Sequence, residues 1–376
     1  MSLYEAVKNS VDPKRTFDGV LTYNSRHQRY LLRVLLELSP VCNFTCPFCY
    51  VRKSPEEMIE RGKSVLRFSY WKSILDQLFE MGVLYVGFTG GECMLHPDFI
   101  EIYEYAAKKG FFVYLISNGS CLTDSILDTF KRYPPTNISV TVYGGNEITY
   151  KKICGNGEYY NKTRINLQRL SEANIPVFVQ MTVSRDNVKD VPEVYELCKQ
   201  LNIHFGCGST LISCERCTEE IQAANSVSNE EYRKVMKLLH RIDNNGKAPA
   251  PLPIPQKINT SGITCSAGRS SAFINHEGMM LLCVSYQEKR ISTFEHSLKD
   301  CWKEVVKAAD QIPHIEECNG CIHGSRCIQC FGAHYYDTGN FTTPSPKLCF
   351  KRKYPEEAAR AEAYFAEHGV LPPAEF

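Results

Sequence analysis

Short apolar runs alternate with segments of helical periodicity through the first two thirds of the chain. Residues 31–38, 84–88, 111–116, 138–142, 177–183 and 204–211 are dense in Val, Ile, Leu, Phe and Tyr and read as six strands. Between them, apolar residues recur every three or four positions. Trp71, Ile74, Leu75 and Leu78 define one helical face, and Ser69 stands where a cap would. Helices also fit 99–109, stopped by Gly110, and about 123–132, 161–173, 190–201 and 228–241. Strands alternating with helices predict a parallel sheet joined by right-handed crossovers. The predicted class is α/β, as a partial barrel of six βα units similar to a TIM barrel. An open doubly wound sheet satisfies the same periodicity. In both, ligands meet the carboxyl ends of the strands.

The pattern changes at 246–257, where Pro249, Pro251, Pro253 and Pro255 favour an extended linker. The predicted organisation is an N-terminal extension over 1–30, the barrel over 31–245, the linker over 246–257, a cysteine-rich domain over 258–350 and a terminal segment over 351–376. That last segment contains a helix at 355–368. Residues 258–350 lack long periodic segments, so their fold is expected to depend on bound metal.

Composition excludes several classes. The 376 residues are 43% hydrophobic and 23% charged, with a formal net charge of +1, which offers no nucleic-acid surface. Residues 1–30 have no continuous apolar core of the kind a secretion signal needs. The best apolar run, 30–41, contains Arg33 and Glu37 and is too short for a bilayer. A cytoplasmic protein with no membrane partner is expected. Eighteen cysteines are then the anomaly, and many are grouped at gaps of two or three residues. In a reducing compartment such grouping favours metal or cluster ligation over disulfides.

Cys42-x3-Cys46-x2-Cys49 follows the first strand and offers three soft thiolates. Structural zinc would want a fourth ligand, for which Cys93 and His96 are the nearest candidates. A cubane 4Fe–4S cluster on three cysteines leaves one iron open. The octapeptide Cys42-Asn43-Phe44-Thr45-Cys46-Pro47-Phe48-Cys49 resembles the signature of the radical SAM superfamily. Two further elements follow in that family's order at strand ends. Gly90-Gly91-Glu92 is similar to the motif that grips the amino group of S-adenosylmethionine (SAM). There glycines expose backbone and a carboxylate pairs with an ammonium. Taken alone, it is a tight turn with a helix-capping Glu. Ser117-Asn118 resembles the pair contacting ribose and carboxylate, and Phe48 stands where an aromatic residue neighbours the adenine. Asn-Gly is also a common turn.

Beyond the linker the chain reads Cys265-x12-Gly278-x4-Cys283, then Cys318-x2-Cys321-x5-Cys327-x2-Cys330, then Cys349. Paired CxxC groups are also a zinc pattern. This one resembles the SPASM extension of radical SAM enzymes, which holds two auxiliary 4Fe–4S clusters. The resemblance implies one cluster on Cys318, Cys321, Cys327 and Cys349, and another on Cys265, Cys283 and Cys330. Here two residues, not three, separate Cys327 from Cys330. Ser271 stands where a fourth thiolate is often found, and Cys207, Cys214 and Cys217 are distant substitutes. Cys93, Cys121, Cys154, Cys198 and Cys301 read as structural.

The resemblance implies three 4Fe–4S clusters, SAM cleavage to a 5′-deoxyadenosyl radical, and a ferredoxin- or flavodoxin-type reductant. It leaves the substrate open. A ribosomally made peptide is the first reading, with thioether or carbon–carbon crosslinking or side-chain oxidation. A small-molecule alcohol dehydrogenase is the second. An electron carrier without SAM turnover is the third, and the strand-end Glu92 speaks against it. Sulfatase-maturating enzymes place an acidic base directly after the second auxiliary cysteine, where this chain has Val284. The roughly thirty residues ahead of the first strand leave no room for a winged peptide-recognition domain.

Overall fold

A computed structural model describes residues 17–51, 53, 55–60, 65–211, 217–243, 263, 265–369 and 371–372. The proline-rich segment 246–257 and Cys214 lie outside the described residues. Nine strands form one sheet among those described: β1 Arg33–Ser39, β2 Tyr85–Gly90, β3 Phe112–Ser117, β4 Asn137–Thr141, β5 Val177–Thr182, β6 His204–Gly208, β7 Ser271–Ile274, β8 Met279–Leu281 and β9 Ile291–Ser292. Their order is β6-β5-β4-β3-β2-β1-β7-β8-β9. The first seven run parallel, and β8 and β9 are antiparallel additions. The expected α/β class and partial, open barrel are present. The sheet is larger than six strands because β7, from the cysteine-rich region, pairs with β1 in register Arg33↔Ser271.

One face of the sheet is apolar. Leu36, Leu38, Phe88, Leu115, Val140 and Val179 are fully buried and share one core with the surrounding helices. Helix Phe68–Glu80 contributes Trp71, Ile74, Leu75 and Leu78, the four residues its periodicity predicted. Each buried side chain of this size stabilises by about 1.5–3 kcal/mol. The cap is different from expectation. Arg67 occupies the N-cap position without a side-chain cap, and the Phe68 N–H donates to Asp98 Oδ2 at 2.8 Å. Asp98 lies thirty residues on in sequence and is held by Arg67, so a tertiary partner replaces the local serine.

The expectation that 258–350 lacks long periodic segments is corrected by helix Leu298–Asp310. It is capped by Ser297 and buries Leu298, Cys301, Trp302, Val305 and Ala309. The cysteines on either side masked its apolar spacing. The final helix is Pro355–His368, as its composition predicted. No helix among the described residues is long and apolar enough to cross a membrane.

Candidate active site

The opposite face of the sheet carries polar and small side chains towards the carboxyl ends of the strands. A register shift between Glu37 and Ser39 releases β1 into the loop that holds the first three cysteines. The Val41–Lys53 bridge closes that loop, helped by the Lys53 N–H donating to Pro40 O at 2.8 Å. Phe44 anchors it from inside, stacked on Tyr159 at 4.7 Å and edge-on to Tyr143 and Tyr150. Thr45 fixes the next residue, its N–H and hydroxyl both donating to Cys154 O. Cys42, Cys46 and Cys49 are half-buried and line one pocket with Gly90, Gly91, Ser117, Asn118 and Tyr143. Burial pushes the Cys42 thiol up to about 12, opposed by the Phe44 N–H on its sulfur. A bound metal must therefore displace protons from these sulfurs.

No other Cys, and no His, Asp or Glu, lines that pocket among the described residues. Cys93 is fully buried and directs its thiol to Glu92 and Ile116 O. His96 is bonded to Leu66 O at 2.9 Å. Neither completes a zinc site, and among the described residues no three His, Cys, Asp or Glu side chains are grouped to hold a single ion. Three thiols on one pocket wall, without a fourth protein ligand there, fit a cluster that keeps one iron open.

Gly90, Gly91 and Glu92 dock directly onto this loop. A side chain at Gly91 would meet Val41 O at 2.4 Å, and one at Gly90 would meet Ser39 O at 2.2 Å. The Gly91 and Glu92 N–H groups donate to Ser39 O and Val41 O at 2.8 and 2.9 Å. The glycines thus let two backbones touch and set the height of Cys42. The Glu92 carboxylate is fully buried and accepts from the Ser117 hydroxyl, the Asn118 N–H and the Met94 N–H. It caps the short turn Cys93–Leu95 and ties β2 to β3. Burial raises its carboxyl above the ordinary range, although these donors oppose the shift. Asn118 also reaches Asn43 Oδ1 at 2.9 Å and Cys42 Sγ at 3.6 Å. The sequence-identified Gly90, Gly91, Glu92, Ser117 and Asn118 thus meet the cysteine loop as one network. Phe48 is buried and tilted against Tyr143.

A second pocket adjoins the first and shares Cys49, Tyr50, Thr141 and Tyr143 with it. Thr141, Thr182 and Thr210 line it, and so do Cys217 and Ser285, the latter two residues beyond Cys283. No charged side chain lines it among the described residues.

Beyond the linker, cysteines neighbour one another in two places. Burial raises the Cys327 thiol to about 11, and neighbouring Cys349, Cys321 and Cys318 add to the shift. Cys283 is raised to about 11 chiefly by burial, with Cys265 and Cys330 as its cysteine neighbours. Ser271 opens β7 and belongs to the strand pairing with β1. Cys207 packs its sulfur 3.7 Å from Met236 Sδ.

Three features escaped the sequence reading. Tyr143 lines the pocket of the three thiols, and the Cys154 carbonyl accepts from both donors of Thr45, the residue before Cys46. Glu37 and His276 form a buried pair, Oε1 to Nδ1 at 2.5 Å, with Lys53 at 3.5 Å from Nε2. Nothing local in the sequence announces contacts that join residues so far apart.

A sequence profile of the radical SAM superfamily matches residues 36–198. The AdoMet-dependent heme synthase of Methanosarcina barkeri is 22% identical over 340 residues, which cover 84% of this chain and 95% of the synthase. The PqqA peptide cyclase of Gluconobacter oxydans is 30% identical over 170 residues, 45% of this chain and 46% of the cyclase. The chain thus aligns with less than half of that cyclase. Among solved structures, Streptococcus suis SuiB bound to precursor peptide SuiA superposes with a TM-score of 0.66 at 14% identity, over 91% of this chain and 80% of that one.

Proposed function

With residues 36–198 constituting a radical SAM domain, we propose that the protein is an enzyme that cleaves SAM at a cluster held by Cys42, Cys46 and Cys49 and modifies a ribosomally made peptide. The observation that carries this reading is the docking of Gly90-Gly91-Glu92 onto the loop of three half-buried thiols. The cluster and SAM together supply a 5′-deoxyadenosyl radical that abstracts hydrogen from an unactivated C–H bond.

The chain's own residues prepare the site. Glu92 holds a buried carboxylate behind Ser117 and Asn118, which line the pocket, and a carboxylate there suits the SAM ammonium. Ser117 and Asn118 hold that carboxylate and turn the Asn118 amide towards Cys42. The uncharged pocket beside Cys49 accepts the substrate, and its threonines offer hydroxyl groups for orientation.

We assign residues 258–350 as a SPASM-type region with two auxiliary clusters, one on Cys318, Cys321, Cys327 and Cys349, the other on Cys265, Cys283 and Cys330. Their mutual proximity supports the assignment. With three thiols in the second set, a ligand from the substrate fits the fourth place, which favours a cysteine-bearing peptide. A ferredoxin- or flavodoxin-type reductant and a reducing cytoplasm suit the same chemistry. The peptide cyclase and the peptide-bound SuiB support a peptide substrate. The heme synthase, similar over most of its length, keeps a small-molecule substrate as the second reading.

Anaerobic reconstitution tests the proposal. About three cubane clusters per chain are expected, since ten cysteines are grouped for them. The variant with Cys42, Cys46 and Cys49 all changed to Ala should keep the auxiliary clusters and form no 5′-deoxyadenosine. Continued SAM cleavage by that variant sinks the central assignment. A short cysteine-rich open reading frame beside the gene favours the peptide, and a small-molecule biosynthetic cluster favours the alternative.

A further inference from the structure

The Asn118 side chain stands between Cys42 and a turn that the fold builds behind it. β3 ends at Ser117, and Gly119 turns the chain with φ +73°. A side chain on Gly119 would strike Val140 Cγ1 at 2.7 Å. The turn brings the Ser120 N–H back to Asn118 Oδ1 at 2.9 Å. A backbone N–H only donates, so this contact fixes which end of the amide is oxygen. The Asn118 nitrogen then faces the other way, 2.9 Å from Asn43 Oδ1 and 3.6 Å from Cys42 Sγ. The remaining directions follow. Asn43 accepts through its oxygen, so its nitrogen donates to Ser120 Oγ at 2.9 Å. Ser120 passes its own hydroxyl hydrogen to Asn118 Oδ1 at 2.7 Å. Asn43, Ser120 and Asn118 thus close a ring. Both amide hydrogens and both oxygen lone pairs of Asn118 have partners within the protein.

We infer that Asn43 is a positioning residue: with Ser120 it locks the Asn118 amide so that its nitrogen donates to the Cys42 sulfur and raises the reduction potential of the SAM-binding cluster. The inference rests on the cluster assignment proposed above. The thiolate, not the thiol, is the metal ligand, so a bound Cys42 has no proton to give and the amide is the donor. Hydrogen bonds to ligand sulfur favour the more negative, reduced state, and potentials of iron–sulfur clusters follow them. The Phe44 N–H also reaches this sulfur, at 3.3 Å, but a backbone donor is the same whatever the side chain. The Asn118 amide is the donor that the sequence can set. Turned end for end, it would place its oxygen against Asn43 Oδ1 and its nitrogen against the Ser120 N–H, two contacts between like groups. The ring excludes that orientation. Asn43 adjoins Cys42 in the chain, so the loop that supplies the ligand also supplies the lock.

The test is potentiometry followed by electron paramagnetic resonance on the reconstituted full-length protein. The signal that changes on adding SAM reports the cluster on Cys42, Cys46 and Cys49 and separates it from any auxiliary one. Asn43→Ala, Ser120→Ala and Asn118→Ala should each lower the reduced-to-oxidised ratio of that signal at least roughly threefold at a fixed poise, with iron content unchanged; a tenfold fall equals about 59 mV for one electron. Ser120→Thr keeps the hydroxyl and should match the wild type. Asn43 acts through Asn118, so the double variant Asn43→Ala/Asn118→Ala should equal Asn118→Ala alone. If Asn43→Ala does not retain iron, Ser120→Ala and its double variant with Asn118→Ala decide the matter. A Ser120→Ala midpoint equal to that of the wild type, or additive shifts in the double variant, overturns the inference. Absence of any SAM-responsive signal in the wild type overturns the cluster assignment instead.

Discussion

The Glu92 carboxylate accepts a 2.7 Å hydrogen bond from the Asn118 N–H and so joins the end of β2 to the end of β3. Ser117 and Asn118 line the pocket of the three thiols, and the fully buried Glu92 carboxylate stands behind them. Glu92→Gln replaces an acceptor with a donor against groups that already donate. It is expected to weaken SAM binding by roughly 2–5 kcal/mol, the usual cost of removing one buried charged partner. Calorimetry on reconstituted protein measures this, and unchanged affinity would reduce Glu92 to the cap of the Cys93–Leu95 turn.

The same carboxyl predicts a pH dependence. Burial raises its native pKa above the unfolded value. Its contribution to stability is therefore full below the unfolded carboxyl pKa, about 4.3, and is lost as pH rises through the native value. In iron-free protein the melting temperature of the wild type should fall relative to Glu92→Gln between about pH 4 and neutrality. A wild type that gains on Glu92→Gln as pH rises would contradict a desolvation-dominated carboxyl.

Gly91→Ala forces a methyl group against Val41 O and Pro40 O, both backbone atoms that cannot rotate away. The loop must shift, at a cost of about 1–3 kcal/mol. Iron at the Cys42, Cys46 and Cys49 site should fall while the auxiliary signals persist. Iron analysis with spectroscopy of the SAM-responsive signal checks both halves.

Asp98→Ala removes the acceptor of the Phe68 N–H and should destabilise helix Phe68–Glu80 by about 1 kcal/mol, whereas Ser69→Ala should change little. The Arg67 guanidinium holds the Asp98 carboxyl below its ordinary range. That contribution is present above the unfolded Asp pKa, about 3.9, and disappears as pH falls through the lowered native value. Thermal melts should place Asp98→Ala below both wild type and Ser69→Ala at neutral pH, with that gap narrowing as pH falls through the lowered native value.

Cys349→Ala should cost about four irons per chain if the cluster proposed on Cys318, Cys321, Cys327 and Cys349 needs all four thiolates. Cys207→Ala should cost none, since its sulfur packs on Met236 rather than beside Cys283. Iron loss in Cys207→Ala would make it the missing ligand of the second set.

The sequence exposed what repeats locally and hid what is assembled at a distance. The six apolar strands lie within one or two residues of their predicted starts, because strands buried against helices need continuous Val, Ile and Leu. The face of Trp71, Ile74, Leu75 and Leu78 is intact for the same reason. Helix Glu147–Cys154 was invisible: it is short, with Lys151 and Lys152 diluting Tyr150 and Ile153. The spacing of the cysteines was legible in the sequence. The placing of Cys154 beside the cysteine loop was not, since it is made by the fold and by the contact of its carbonyl with Thr45. The role of the glycines was half legible, for the turn was readable but the backbone they press against was not.

β1 is the first strand in the chain and lies between β2 and β7 in the sheet. A ribosome releases Arg33–Ser39 long before it releases Ser271–Ile274. Throughout that interval one flank of β1 has its amide and carbonyl groups without their final partner, in the condition of an unprotected edge strand. The nascent chain can assemble the six-strand portion, but the base of the cysteine loop is completed only when the last part of the sequence emerges. A chain truncated before Ser271 would therefore offer its first three thiols from an unfinished platform.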